Sequence, residues 1–451
     1  MKLLILLLTC FPLFIFAQQK LSISDNGRYI QKANGEAFFW LGDTAWELFH
    51  RLDKKESDLY LTNRAEKGFT VIQAVALAEL DGLNTPNKEG EIPLIDNDPA
   101  KPNEAYFKHV DYVIDKAASL GLTMGLLPTW GDKFNKRWGV GPVVFTAENA
   151  HVFGEFLAKR YQDKPVIWIL GGDRNPEEEK HFQAIDAMAA GIKSVVGDNQ
   201  LITYHPMGGS SSANFFHERD WLDLNLFQSG HGPAYNPNYK MTRENYSLTP
   251  IKPVIDAEPC YEDHPINWKK ANGWFSELES RRAGYWSMLQ GACGHTYGNH
   301  NIWQMWQPEH DPVSQARTPW WQSIDYPGAF QAGYMRRFFE SRPWHQLIPE
   351  EKLIVSGPNT GGKECKAALA QDKSFAFVYI PFGSEVTIDG SLVEGDRKKL
   401  WWFNPRIGKA IYIDTIKSTN EMELDPPGDE MRGNDWVLVI DQESKEYPKP
   451  E

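Results

Sequence analysis

Eight short apolar runs, most of them separated by a helical period, constrain this chain more than any other feature. They span residues 38–41, 70–76, 123–127, 166–170, 201–204, 224–227, 253–255 and 294–297. Each is short enough to read as a buried strand. Between several of them lie helices. Asp53 followed by Glu56 forms the Asp version of a capping box. From Tyr106, the residues Val110, Val113, Ile114 and Ala117 recur at helical spacing until Gly121. Val152, Phe153, Phe156 and Leu157 mark another helix. Pro176 is expected at the first helical position of the next, with Glu177, Glu178 and Glu179 suiting its N-terminus. Phe182, Ile185, Ala189 and Ile192 supply its apolar stripe. Around the sixth run the helices shrink and loops take over, at 208–212 and 232–246. Strand–helix alternation repeated eight times predicts a (β/α)8 TIM barrel.

Two segments depart from that rhythm. Residues 21–39 alternate and turn at Asp25-Asn26-Gly27 and Asn34-Gly35, which predicts a hairpin ahead of the barrel. After about Trp344 no long helical period remains. Short β-rich runs at 352–355, 365–370, 375–380, 385–388, 400–403, 410–413 and 436–440 are separated by turn residues. They predict a small antiparallel β-sandwich. The expected organisation is a signal peptide at 1–17, a barrel with its hairpin at 18–345, and a sandwich at 346–451.

The signal-peptide reading rests on Lys2, the apolar run 3–16 and the Ala17-Gln18 junction. Cys10 lies inside that run, so it does not suggest a lipid-anchored cysteine. No later stretch is apolar enough to span a bilayer. The expectation is an exported protein, periplasmic or secreted. The remaining Cys260, Cys293 and Cys365 are too few for a disulfide framework, and the first two read as buried fillers. A net charge of −13 without a basic stripe excludes nucleic acid as the main partner. The chain also holds 17 Trp. Most serve packing, but Trp130, Trp138 and Trp303 fall at predicted strand ends or loops, where a flat ring suits the C–H face of a sugar.

Polar and aromatic residues concentrate at the C-terminal tips of the predicted strands, the active face of a barrel. The tips read Gly42-Asp43-Thr44-Ala45-Trp46, Pro128-Thr129-Trp130-Gly131-Asp132, Gly172-Asp173-Arg174-Asn175, His205, Gln228-Ser229-Gly230-His231, Glu258, and Gly298-Asn299-His300. Asp173 and Glu258 end the fourth and seventh runs. Two carboxyls facing each other across a barrel mouth suit glycoside cleavage, with Asp173 as proton donor and Glu258 as nucleophile. The competing reading of Asp173 is a helix N-cap. Asp256 sits two residues before Glu258 and is expected to give structural support. His205, His231 and His300 are expected to bind sugar hydroxyls or orient the carboxylates. A metal site formed by the three is the weaker reading, so no metal and no cofactor is expected. Asp43, Trp46, Gln73 and Trp130 are expected to form the floor and wall of the pocket, with Trp303 as a further sugar contact.

Three motifs carry a resemblance. Gly-Asp-Thr-Ala-Trp at 42–46, Gly171-Gly172-Asp173-Arg174-Asn175, and Asp256-Ala257-Glu258-Pro259-Cys260-Tyr261-Glu262 resemble glycoside hydrolase family 140. That family comprises apiosidases acting on the pectin rhamnogalacturonan II. The terminal sandwich resembles the collagen-binding-type domain that usually follows its barrel. The resemblance implies acid/base work for Asp173, a nucleophile at Glu258, a retaining mechanism, and a plant cell-wall oligosaccharide or polysaccharide as substrate. Where most of the wider clan carries Asn-Glu at the fourth tip, this chain has Gly172-Asp173. The clan's Asn contact to the sugar 2-hydroxyl therefore does not carry over. Alternative expectations are another β-glycosidase such as an arabinofuranosidase, a metal-dependent hydrolase, and a non-catalytic glycan- or matrix-binding protein.

Overall fold

The computed structural model describes residues 20–417 and 420–451. The expected signal peptide and Cys10 lie outside the described residues. Among those described, no helix is long and apolar enough to cross a membrane.

Eight parallel strands form a barrel. They are β1 (Trp40–Thr44), β2 (Val71–Leu77), β3 (Thr123–Thr129), β4 (Val166–Gly171), β5 (Ile202–His205), β6 (Asn225–Gln228), β7 (Val254–Asp256) and β8 (Gly294–Tyr297). Ladders run from β5 through β4, β3, β2, β1, β8 and β7 to β6. The ring closes between β5 and β6 through Asp223 N donating to Ile202 O at 2.9 Å and Thr203 Oγ1 donating to Leu224 O at 2.7 Å. All eight expected strands exist. Seven end one to three residues later than expected: six close on a polar residue or glycine that breaks the apolar run, and β2 adds Leu77.

The helix caps follow the local chemistry. Asp53 and Glu56 form the expected capping box of Lys54–Glu66. Asn103 caps Glu104–Ser119, Thr146 caps Ala147–Tyr161, and Ser276 caps Glu277–Leu289. The helix expected to begin at Pro176 begins at Glu179 instead. His181 Nδ1 accepts from the backbone N–H of Glu177 and Glu178, at 3.1 and 3.2 Å, and fixes the start there. The residues before it are committed elsewhere: the Tyr204 hydroxyl donates to Arg174 O, and the Asn175 amide donates to Ser210 Oγ at 2.9 Å. The loop at 208–212 is partly strand, since Ser210–Ser211 pairs antiparallel with β6. The loop at 232–246 contains the helix Asn238–Tyr246.

The C-terminal region is two antiparallel sheets of six and three strands. Two strands escaped sequence reading: Leu347–Pro349, which is short and partly exposed, and Glu421–Leu424, whose apolar pattern exposed Glu421 and Glu423 interrupt. The sandwich shares a core with the barrel. Phe338 lies against Phe403 and Phe377, with ring centroids 4.3 and 4.6 Å apart, and Tyr285 stacks on Tyr379 at 4.9 Å. Arg281 grips Asp435 through two hydrogen bonds of 2.7 and 2.6 Å, and Arg342 grips Asp441 at 3.1 and 2.7 Å. The three cysteines are free and buried.

Candidate active site

A cavity of about 460 Å³ opens at the C-terminal ends of the strands. Its lining includes Asp173, Glu258, Trp46, Trp130, Trp138, His231, His300 and Trp303.

Three successive residues with positive φ lift Asp173 into this mouth: Gly171 at 89°, Gly172 at 107° and Asp173 at 52°. Glycine reaches such angles without cost, and aspartate is among the few other residues that visit the left-handed region. A tip built this way accommodates Gly-Asp where Asn-Glu would be strained. Gly172 also packs tightly: a Cβ there would lie 3.0 Å from both Gly131 N and Trp130 Cα. Asp173 is not a helix N-cap, since that position belongs to Glu178.

The Asp173 carboxylate accepts from Trp138 Nε1 and from Arg174 Nη1, each at 3.2 Å. The buried Arg174 guanidinium holds Trp138 from two sides, donating to its carbonyl at 2.5 Å and lying 3.8 Å from its ring centroid. Burial and then the negative charge of Glu258 push Asp173 up to about 7, against the pull of Arg174 and His205.

Glu258 has the opposite surroundings. His231 Nε2 lies 3.0 Å from Oε1, and His205 Nε2 lies 3.3 Å from Oε2. On each ring Nδ1 faces a backbone N–H, that of Tyr261 at 3.3 Å for His231 and that of Asp173 at 3.4 Å for His205. With Nδ1 accepting, each ring carries its proton on Nε2; His231 donates it to Glu258 Oε1, while His205 lies close to Oε2 without completing a hydrogen bond. Burial pushes Glu258 up, but the His205 and His231 imidazoles outweigh it and hold the acid down to about 2. One acid is thus kept protonated and the other ionised across the same cavity, the division that glycoside cleavage requires.

Three expected contacts are placed elsewhere. Asp43 is not in the pocket. Along β1, Trp40 and Thr296 meet inside the barrel, so Asp43, at odd spacing, faces outward. There it accepts from Tyr60 Oη and Arg64 Nε, both at 2.5 Å. Gln73 points inward below the cavity and donates to Ala257 O at 3.0 Å, bracing the residue before Glu258. His205 is fully buried under Trp46, whose ring meets it edge-on at 5.4 Å. It therefore orients the acids and touches no sugar. Asp256 also lies off the cavity, accepting from Ser229 Oγ at 2.7 Å and Asn238 Nδ2 at 3.0 Å. His300 lines the wall and is bound to the Val313 and Ser314 carbonyls through Nε2, while its Nδ1 accepts from Trp303 Nε1 at 3.2 Å. It sets the Trp303 ring. Among the described residues, no group of three His, Cys, Asp or Glu side chains is placed to hold a metal ion.

Among the lining residues that sequence reading did not assign are Glu79, Tyr261, His264 and Trp268. Glu79 follows β2 with no motif around it. Burial, then the charges of Asp173 and Glu47, push it up to about 8. Tyr261 packs on His231 at 4.3 Å, in space left by Gly298, where a Cβ would lie 2.0 Å from the tyrosine ring. His264 stacks on His231 at 4.3 Å and donates from Nδ1 to Pro265 O at 2.8 Å, leaving Nε2 as an acceptor. Trp268 is half exposed and has a φ of 57°.

Comparison with known proteins agrees with this geometry. Residues 24–346 match the model of the apiosidase-like catalytic domain. The chain belongs to the apiosidase-like family. Residues 348–441 match the model of a collagen-binding-type domain of a collagenase. A glycoside hydrolase family 5 protein from Bacteroides vulgatus ATCC 8482 is 30% identical, with a TM-score of 0.87 over 96% of this chain and 95% of that one. A second structure, described as a glycoside hydrolase, is also 30% identical, with a TM-score of 0.87 over 95% and 98% of the two chains. Comparison with curated proteins gives no match. This apiosidase-like chain is a glycoside hydrolase built on a (β/α)8 barrel with an antiparallel β-domain behind it.

Proposed function

We propose that this enzyme is a retaining glycosidase that cleaves β-linked apiose within a rhamnogalacturonan II side chain of pectin. Asp173 gives its proton to the glycosidic oxygen as the bond to the anomeric carbon breaks. Glu258 attacks that carbon from the opposite face and forms a covalent glycosyl ester. Asp173, now ionised, takes a proton from water, whose oxygen displaces Glu258 and releases the sugar. The opposed proton affinities of the two carboxyls carry this reading.

Support for apiose comes from family membership and from the Gly172-Asp173 tip, whose shorter acid and missing Asn suit an unusual sugar such as a branched furanose. Support for cleavage within a chain comes from two exposed tryptophans of the cavity, Trp138 beside Asp173 and Trp268 beside His231. They offer ring surfaces on the acid side and on the nucleophile side. The enzyme would act outside the cytoplasm, in the periplasm or medium, where pectic fragments are met.

Incubation with purified pectic oligosaccharides and with aryl β-apiosides and α-arabinofuranosides tests the assignment. Shortened oligosaccharides with apiose at the new reducing end support it. Release of arabinose alone would replace it with an arabinofuranosidase.

A further inference from the structure

Gln228 closes β6, between β5 with His205 and β7 with Glu258. Its side chain is 4% exposed and lines the cavity. Among the described residues its Oε1 is buried without a hydrogen-bond partner. Other buried glutamines are anchored through at least one end of the amide, as Gln73 is through Nε2 although its Oε1 also lacks a partner. Gln200 accepts from Trp168 Nε1 at 2.9 Å and donates to Tyr161 O at 2.9 Å, while Gln304 donates to His300 O at 3.0 Å. Burying an amide without partners opposes folding, so such a group at a cavity wall points to a ligand that completes it.

The surroundings say where that ligand lies. Gly230 N donates to Glu258 O at 2.9 Å, tying the β6 tip to the nucleophile. Gly208 lines the cavity beside the amide, and even an added Cβ there would stay 3.9 Å from Gln228 Cδ, so nothing presses on it. At the tip of β4, two strands away, Gly172 offers no side chain at all. We infer that Gln228 binds hydroxyls of the sugar held at Glu258, supplying from β6 the amide contact that Gly172 does not make from β4. An amide both donates and accepts, so it fits a pair of neighbouring hydroxyls, or one hydroxyl engaged both ways. Gln228 is a specificity-determining residue, and this role rests on the proposed glycosidase reading.

The test uses the full chain and whichever aryl β-glycoside of an apioside and pentofuranoside panel the wild type turns over fastest. Gln228→Leu keeps the volume and removes the polar atoms, while Gln228→Glu keeps only acceptors. Gln228→Leu should lose about 10²-fold in kcat/KM, mostly in kcat, with an unchanged pH optimum, and Gln228→Glu at least as much. Melting temperature for Gln228→Leu should equal or exceed that of the wild type, because an unpartnered amide is removed. Wild-type kcat/KM within twofold in both variants, or a Gln228→Leu melting temperature several degrees lower with turnover retained, would overturn the inference. Glu258→Gln run alongside separates the two levels. If it is inactive while Gln228→Leu is active, only the Gln228 role falls; if it still turns over, the glycosidase reading and this role fall together.

Discussion

At the residue scale, the site is a problem in proton affinity. Asp173 and Glu258 are both aspartate-or-glutamate carboxyls in one cavity, and only their neighbours distinguish them. The neighbours of Glu258 are two imidazoles aimed by backbone N–H groups, whereas Asp173 has burial and the charge of Glu258 against it. Activity needs Asp173 protonated, so kcat/KM should fall as pH rises through about 7 and persist far into acid, where Glu258 stays ionised. A pH–rate profile with its basic limb near 4 would contradict this. Asp173→Ala should cost about 10²- to 10⁴-fold on natural glycan but far less on an aryl glycoside with an acidic phenol, which needs no proton. Asp173 also carries a stability cost. Its affinity lies above the ordinary 3.8, so the ionised form opposes folding increasingly between about pH 4 and 7. Asp173→Asn should therefore raise the melting temperature at pH 8 and leave it nearly unchanged at pH 4. For His205 the sequence left two tasks open, and for Glu79 it gave none, for one reason. Tip residues alternate between cavity, barrel interior and outer face, and which of these a given one takes depends on the neighbouring strands.

At the element scale, the decisive structure is the β4 tip. Its Gly171-Gly172-Asp173 turn uses three positive φ angles to place one carboxyl. Gly172→Ala puts a Cβ against Gly131 and Trp130 at an angle that alanine resists. It should cost roughly 1–3 kcal/mol of stability and lower kcat by displacing Asp173, measured by denaturant unfolding and by steady-state kinetics. Eight strands, the Asp53 capping box and the change of pattern near Trp344 were legible because they rest on local signals, namely apolar runs, a side-chain cap and turns. The start of the helix at Glu179 was not, because His181 caps it from within and the preceding loop is pulled onto Tyr204 and Ser210. Asp43 is instructive in the same way. Alternation along β1 turns it outward, yet its position in a tip motif suggested the pocket.

At the scale of the whole molecule, barrel and sandwich share one core and two buried ion pairs. Arg281 sits on the helix Glu277–Leu289, and Asp435 precedes a strand of the sandwich. Removing one partner of such a pair leaves an uncompensated buried charge. Arg281→Met should therefore destabilise the protein by about 3–5 kcal/mol, whereas joint replacement of Arg281 and Asp435 by apolar residues should cost much less. Calorimetry of the intact chain should show one cooperative transition, and two well-separated ones would mean the interface is weak. The purpose this architecture serves is to hold two carboxyls in opposite protonation states across one cavity. The most direct test is to react the enzyme with a slowly released fluorinated aryl glycoside and map the protein by peptide mass spectrometry. The account predicts one glycosyl residue bound to the peptide carrying Glu258, at Glu258 itself. Attachment at another residue, or turnover with inverted product and no covalent adduct, would contradict it.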